Sequence, residues 1–375
     1  MYNASLRSAQ LRQVRASAPA ALKRPIDRLR RSWAQLSKAV PEAYTLLDEP
    51  PRAFVSALQD LLGALSEHLA NSPAGVASVL LQFYFDALHF GRLLESFGTH
   101  SIFDITREPD ASADVRKPGP TVCVRNVLPA PFLRPRFAAA RSTVLFSATL
   151  TPWHFYCDTL GLPDDTGWLE VAAPFSAAQL SVQVWRGIST RYRDRGRSLA
   201  PIARLIAAQY WQVPGNYIAF FSSFDYLEQV GGELAARYPH IATWQQRRRM
   251  EEAERDAFVA RFAVGGRGVG FAVLGGSFAE GIDLVGERLV GAFIATLGLP
   301  QFNAVNEELR RRLDVEFGAG HDYVYLFPGI RKVVQAAGRV IRTPSDQGVV
   351  HLIDDRVARP EVQRLLPRWW RVEQG

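Results

Sequence analysis

Val269-Gly-Phe-Ala-Val-Leu274-Gly275-Gly276-Ser277-Phe278-Ala279-Glu280-Gly281-Ile282-Asp283 begins as an apolar run and ends as a glycine-rich loop carrying a hydroxyl and two carboxylates. A short apolar run bounded by glycines reads as a strand buried on both faces, which belongs in a parallel sheet. Outward from it, strand-like runs lie at 122–127, 143–146, 181–185, 217–221, 289–295, 323–327 and 349–353. Helical patterns near 198–212, 224–237, 250–263, 303–313, 329–342 and 361–371 lie among them. Buried strands alternating with helices predict an α/β fold, a parallel sheet with helices on both faces. Such sheets bind ligands beyond the carboxyl ends of their strands, so the loops that follow strands are where chemistry is sought.

The first third reads differently. Leu22, Ile26, Leu29, Trp33, Leu36 and Val40 recur at helical spacing, with Pro25 placed near the helix start and the charges on the other face. Two more stripes follow, Phe54, Leu58, Leu62, Leu65, Leu69 and then Val76, Leu80, Phe83, Ala87, Phe90, Leu94, Phe97. Residues 1–105 are therefore expected to be an all-helical unit, and the polar stretch 106–120 a connector into the α/β part.

The chain has 375 residues, 47% hydrophobic and 22% charged, which suits two or three globular domains and is neither disordered nor membrane-spanning in pattern. Its net charge of +7 favours a polyanionic partner. The excess sits in residues 1–40, where nine basic groups face the single acid Asp27. This acid-poor N-terminus resembles a mitochondrial transit peptide, yet its helical periodicity continues to Val40 and reads as folded structure. Cys123 and Cys157 form no disulfide framework and no four-thiolate site, so a reduced, cytoplasmic setting is expected. The seven histidines are scattered without metal-ligand spacing, so no metal site is expected within the chain. Neither Ser147 nor Ser222 stands in a nucleophile-elbow pattern. Trp369 and Trp370, flanked by arginines, read as a docked helix more readily than as a base-stacking pair.

Gln335-Ala-Ala-Gly338-Arg339-Val-Ile-Arg342 carries the most chemistry. On one continuous helix Gln335, Arg339 and Arg342 would share a face, with Val334, Ala337 and Ile341 turned to the sheet. Two forked, permanently charged guanidiniums suit phosphate, and the same residues also suit a solvated basic helix face. Two further loops place hydroxyls just past strands, Phe146-Ser147-Ala148-Thr149-Leu150 and Phe220-Phe221-Ser222-Ser223.

Together these stretches resemble superfamily 2 helicases of the XPD/DinG type. Ser147-Ala148-Thr149-Leu150 is similar to their inter-domain motif, Phe220-Phe221-Ser222-Ser223 to the fourth motif, 275–283 to the fifth and 335–342 to the sixth. The tail 346–356 is similar to the segment after the sixth motif. The resemblance covers 120–375 well and 1–105 more loosely. It implies a helical arch-like domain at 1–118, the last strands of motor domain 1 at 119–152, and a RecA-like motor domain 2 of the P-loop NTPase fold at 153–375.

By that resemblance Arg339 and Arg342 would contact the γ-phosphate of ATP, and Gln335 would couple nucleotide state to closure. Glu280, Gly281, Asp283 and Gly338 would flank the nucleotide, while Ser222, Ser223 and Ser277 would approach the backbone of single-stranded DNA. Ser147 and Thr149 would lie at the inter-domain hinge. The basic Arg24, Arg28 and Arg31 would add DNA contacts from the arch.

No Gly-x-x-x-x-Gly-Lys-[Ser/Thr] phosphate loop, Asp-Glu-x-His or iron–sulfur cysteine set occurs in this chain. The expectation is therefore a half-enzyme, inactive alone, whose ATP and Mg2+ are held mainly by an amino-terminal helicase half that also carries the iron–sulfur cluster. The expected substrate is single-stranded or forked DNA, tracked 5′→3′ in repair or replication, with no membrane partner and a cytoplasmic, nucleoid-associated location. The competing expectation is a non-catalytic nucleic-acid or protein-binding module derived from such a motor.

Overall fold

The computed structural model describes residues 2–39, 43–71, 77–107, 120–281 and 283–375, with Ala39 and Glu280 described in their backbone only. Two compact units emerge, Met1–Thr143 with Tyr156–Thr166, and Val144–Phe155 with Gly167–Gly375.

In the first unit the three apolar stripes become the helices Ala20–Ala39, Arg52–Asn71 and Ser78–Glu95, preceded by Ser8–Ser17. Leu22, Ile26, Leu29, Trp33, Phe54, Leu58, Leu65, Phe83 and Phe90 are buried in one core. The unit is not all-helical. Strands β1 (Tyr2–Arg7), β2 (Tyr44–Leu47), β3 (Ser101–Thr106) and β4 (Thr121–Asn126) form an antiparallel sheet in the order β1-β4-β3-β2. Ala4, Leu6, Phe103, Ile105, Val122 and Val124 turn from it into the helical core. The run at 122–127 thus joins this sheet instead of the parallel one, because β1 and β3 flank it on both sides. The first long helix begins at Ala20, which leaves Pro25 inside it. Most of the expected connector 106–120 lies outside the described residues. Cys123 is a packed thiol, pushed by burial up to about 12.

The second unit is a seven-stranded sheet of β5 (Leu180–Val184), β6 (Asn216–Phe221), β7 (Thr243–Gln245), β8 (Gly268–Val273), β9 (Gly291–Ala295), β10 (Gly348–Leu352) and β11 (Arg371–Gln374). Their order is β11-β5-β10-β9-β6-β8-β7, and every pairing is parallel. Alternate residues feed two cores, as the two-residue period of a strand requires. Ile218, Phe220, Ala272, Ala292, Ile294, Val350 and Leu352 pack against the helix Phe327–Ala337. Tyr217, Ala219, Phe221, Phe271, Phe293 and Ala295 pack against the helices Arg195–Gln212 and Phe224–Arg237.

Three expected elements take other forms. Residues 143–146 form no strand, and Val144 and Phe146 are 81% and 91% exposed, because no strand among the described residues pairs with them. The run at 323–327 is mostly a π-helical turn, Asp322–Leu326, leading into Phe327–Ala337. Tyr323, Val324, Tyr325 and Leu326 are all buried, and continuous burial does not distinguish a strand from a helix. At the C-terminus only Pro360–Gln363 is helical, and Arg371–Gln374 is the edge strand β11. Trp370 is buried and Trp369 packs against Phe175, so the tryptophans dock.

A buried polar line ties β10 to its neighbours. Trp185 Nε1 donates to His351 Nδ1 at 3.0 Å, and His351 Nε2 donates to Gln209 Oε1 at 3.1 Å. Phe293 stacks on the imidazole at 4.8 Å. Burial holds His351 down to about 4, so the ring is neutral with its proton on Nε2.

A candidate phosphate and nucleic-acid site at the carboxyl ends of the strands

The helix Phe327–Ala337 lies across the carboxyl ends of β9 and β8. Near its start Gly329 meets the turn after β9, where a Cβ on Gly298 would sit 2.6 Å from the Gly329 carbonyl oxygen. Further along, Lys332 lies over Gly275 after β8, with Cδ, Cε and Nζ 3.4–3.6 Å from where a Cβ would stand. Gly275 has φ of 81°, a left-handed conformation that side-chain-bearing residues adopt at a cost.

The helix then stops. It ends at Ala337, with Gly338 as C-cap, so Gln335, Arg339 and Arg342 do not leave a single helix face as the spacing predicts. Val340 and Ile341 are both buried, which pulls the chain inward beyond the glycine. Asp346 fixes the exit, accepting from the Arg342 and Thr343 amides at 2.7 and 2.8 Å. Burial works against the Asp346 charge, but these amides and Thr343 Oγ1 outweigh it and hold the carboxyl below its ordinary range.

Both arginines nevertheless reach the glycine-rich loop. Arg339 Nε donates to the Ala279 carbonyl oxygen at 3.1 Å, and Arg342 Nε donates to Asp283 Oδ1 at 2.8 Å. That loop is anchored from below by Phe278, buried and packed against Phe258 at 4.2 Å. Its short helical turn Ser277–Glu280 closes with the Gly281 amide on the Ser277 carbonyl at 2.8 Å. A Cβ on Gly281 would stand 2.7 Å from that oxygen, so the turn requires a glycine. Ser277 is exposed at the rim, and Gln335 is half-buried on the crossing helix. The Glu280 side chain and Ile282 lie outside the described residues.

After β6, Ser222 Oγ accepts from the Arg195 guanidinium at 2.8 Å, and Arg195 lies over the rings of Tyr192 and Tyr226. Ser223 caps the helix Phe224–Arg237, accepting from the Tyr226 amide at 3.3 Å. Ser147 and Thr149 lie on an exposed loop, the Thr149 amide donating to Ser147 Oγ at 3.2 Å. Arg195 and Lys332 are residues the motif reading missed. Lys332 carried a signal, since the other lysines (Lys23, Lys38, Lys117) all lie before residue 120.

The opposite end of the rim is closed by internal pairs. Beyond β10, Asp354 is fully buried and accepts from Arg356 Nε and Nη2 at 2.7 and 2.8 Å and from the Thr190 hydroxyl. Burial alone would raise this carboxyl, yet the Arg356 guanidinium and Thr190 hold it below the usual range. Asp355 is taken by Arg191. Ser222, Ser223, Ser277, Lys332, Arg339 and Arg342 thus lie at or against the loops that follow β6 and β8.

The basic residues of the first unit form a separate surface. Arg24 and Arg31 line an open groove of about 770 Å³ with Arg15, Lys23, Asp27 and Arg30. Asp27 engages Arg15 at 2.5 Å and Arg30 at 3.0 Å, and Arg28 pairs with Asp60 on the next helix. Among the described residues no helix is long and apolar enough to cross a membrane.

The family described as the helicase C-terminal domain matches residues 206–373. The chain is 28% identical over 273 residues to the ATP-dependent DNA helicase chl-1 of Caenorhabditis elegans, covering 64% of this chain and 31% of the relative. It is 24% identical over 275 residues to the general transcription and DNA repair factor IIH helicase subunit XPD of Arabidopsis thaliana, covering 63% and 33%. The chain thus spans about a third of the length of these relatives. In fold it is similar to a solved XPD helicase, with a TM-score of 0.60 at 16% identity over 100% of this chain and 65% of the other. It is similar too to Xpd4 of S. tokodaii, with a TM-score of 0.60 at 15% identity over 99% and 72%. Residues 206–373 thus match the helicase C-terminal domain, just under two thirds of the chain is similar in sequence to XPD- and chl-1-type DNA helicases, and the whole chain is similar in fold to an XPD helicase.

Proposed function

We propose that this chain supplies the second motor domain and the arch of an ATP-dependent DNA helicase that tracks single-stranded DNA 5′→3′ and unwinds forked duplexes in repair or replication. One observation carries the reading, the joint contact of Arg339 and Arg342 with the loop Gly275–Asp283. Two guanidiniums aimed along the rim of a parallel sheet form a polyphosphate-binding edge, suited to charge developing on a transferred γ-phosphoryl group. In this reading Arg339 and Arg342 act as arginine fingers, and Gly281, Asp283, Glu280 and Gly338 border the nucleotide. Gln335 transmits its state, and Ser147 and Thr149 sit at the hinge.

The donors present suit phosphate oxygens. Mg2+ and the remaining phosphate contacts, like an iron–sulfur cluster, would be held by an amino-terminal helicase half carrying a phosphate loop. ATP, when bound, would supply the γ-phosphate that the two arginines contact and the phosphoanhydride that is hydrolysed. Ser222, Ser223 and Ser277 face the DNA backbone with hydroxyls and amides, which position a strand without reading its sequence. Arg24, Arg28 and Arg31 add charge along the path.

The test is reconstitution. Mixed with an amino-terminal half bearing the phosphate loop and Asp-Glu-Ala-His motif, the chain should hydrolyse ATP in a DNA-stimulated manner, and alone it should not. DNA binding without any reconstituted ATPase would favour a non-catalytic binding module instead.

A further inference from the structure

Beyond β7 the chain runs Gln245-Gln246-Arg247-Arg248-Arg249-Met250, and Arg249 has a φ of 56°. No other non-glycine residue among the described residues has a positive φ. A left-handed conformation is costly for an arginine and free for a glycine, and residues held in it cluster where a side chain must be placed.

The rest of the loop is tied down. The Gln246 amide donates to the Phe271 carbonyl at 2.8 Å, and its Oε1 accepts from the Val273 amide at 2.9 Å, fastening the loop to β8. Arg247 is held by Glu254. Arg248 donates to Asp225 Oδ1 at 2.7 Å and lies 4.9 Å over the Phe224 ring. Phe224 and Asp225 open the helix that Ser223 caps, so the loop is docked beside Ser222 and Ser223. Arg247 and Arg248 are thus neutralised by their own carboxylates. Arg249 is exposed and has no carboxylate partner among the described residues.

We propose that Arg249 is a phosphate clamp for the backbone of single-stranded DNA, extending the Ser222–Ser223 contact to the sheet edge at β7. Arg247 and Arg248 act as positioning residues, fixing the loop while adding no net charge. The exposed Arg249 guanidinium, with no carboxylate partner among the described residues, is available to pair bidentately with a phosphodiester. The proposal rests on the reading of the chain as the DNA-tracking half of a helicase.

Arg249→Gly separates function from folding, because it deletes the guanidinium while relaxing the backbone. Binding of the full chain to a fluorescent oligo-dT, followed by anisotropy across a salt series, reads the effect. Arg249→Gly should bind about ten-fold more weakly at low salt, with the slope of log K against log salt shallower by roughly 0.7, as expected when one fewer phosphate of a single strand is neutralised. Its melting temperature should equal or exceed that of the wild type. Wild-type affinity and slope in Arg249→Gly, or weaker binding with a lowered melting temperature, would overturn the clamp. So would a loss confined to ATP binding with oligo-dT binding intact, which would assign the phosphate to a nucleotide. If the wild type itself shows no salt-dependent binding, the helicase reading fails and the clamp with it.

Discussion

The two basic surfaces of this protein are built on different principles. On the first unit, positive charge is spread along one face of the helix Ala20–Ala39, and its pairs are exposed ones, Arg28 with Asp60 and Arg15 and Arg30 with Asp27. On the second unit, arginines meet the loops that follow the strands, Arg195 at Ser222, Arg248 at Asp225 and Phe224, Arg339 at the Ala279 carbonyl and Arg342 at Asp283, in pairs that are as exposed as those of the first unit but gathered at one edge of a sheet. Charge density is a property of the sequence, whereas placement is a property of the fold. The rim of the second unit is therefore where we propose the chemistry lies, and the charge of the first suits attraction to a polyanion.

The contrast is sharpest in what breaking a pair does. Asp354→Ala would leave the partly buried Arg356 guanidinium and two buried Thr190 donors without their acceptor, and should lower unfolding stability by roughly 3 kcal/mol in a urea titration. Asp60→Ala, which removes an exposed partner of Arg28, should leave the urea midpoint in place. An equal loss in both would erase the distinction.

A second way to sharpen it uses pH. His351 titrates near 6.5 when unfolded and is held to about 4 by burial when folded. Its contribution to stability is complete above pH 6.5 and is lost as pH falls from there through 4, amounting to roughly 3 kcal/mol. Urea midpoints at pH 7.5 and 5 should show the fall in the wild type and a smaller one in His351→Gln. A smaller effect again is expected at the first unit. Neutralising Arg24, Arg28 and Arg31 together should flatten the salt dependence of DNA binding by up to about 0.7 for each single-strand phosphate that is no longer neutralised, without changing the fold. An unchanged slope would return those residues to a solvated helix face.

Much of this was legible in the chain before its structure. The parallel strands β6, β8, β9 and β10 announce themselves because strands buried on both faces must be apolar throughout. The sheet of the first unit was not, because β1 spells Tyr-Asn-Ala-Ser-Leu-Arg, with Ala4 and Leu6 as its only buried side chains. Two inward residues are too few to establish a period. The fold brings the stretches 275–283 and 335–342 into contact, yet the helix through Arg339 and Arg342 was read too long. Gly338 and the burial of Val340 and Ile341 end it, while Asp346 captures the next amides from four residues downstream. Arg249 was visible as part of a charge run, but its left-handed backbone depends on how Gln246 and Arg248 dock the loop.

The central claim is that the arginines at the sheet's rim perform chemistry while those of the arch only attract DNA. The direct measurement is DNA-stimulated ATP hydrolysis by the chain mixed with an amino-terminal half. It should be made for the wild type, Arg339→Ala, and the chain with Arg24, Arg28 and Arg31 neutralised. The account predicts a loss of kcat of about 10³-fold or more for Arg339→Ala. For the arch variant it predicts an unchanged kcat with a raised half-saturating DNA concentration. Full kcat in Arg339→Ala would contradict it.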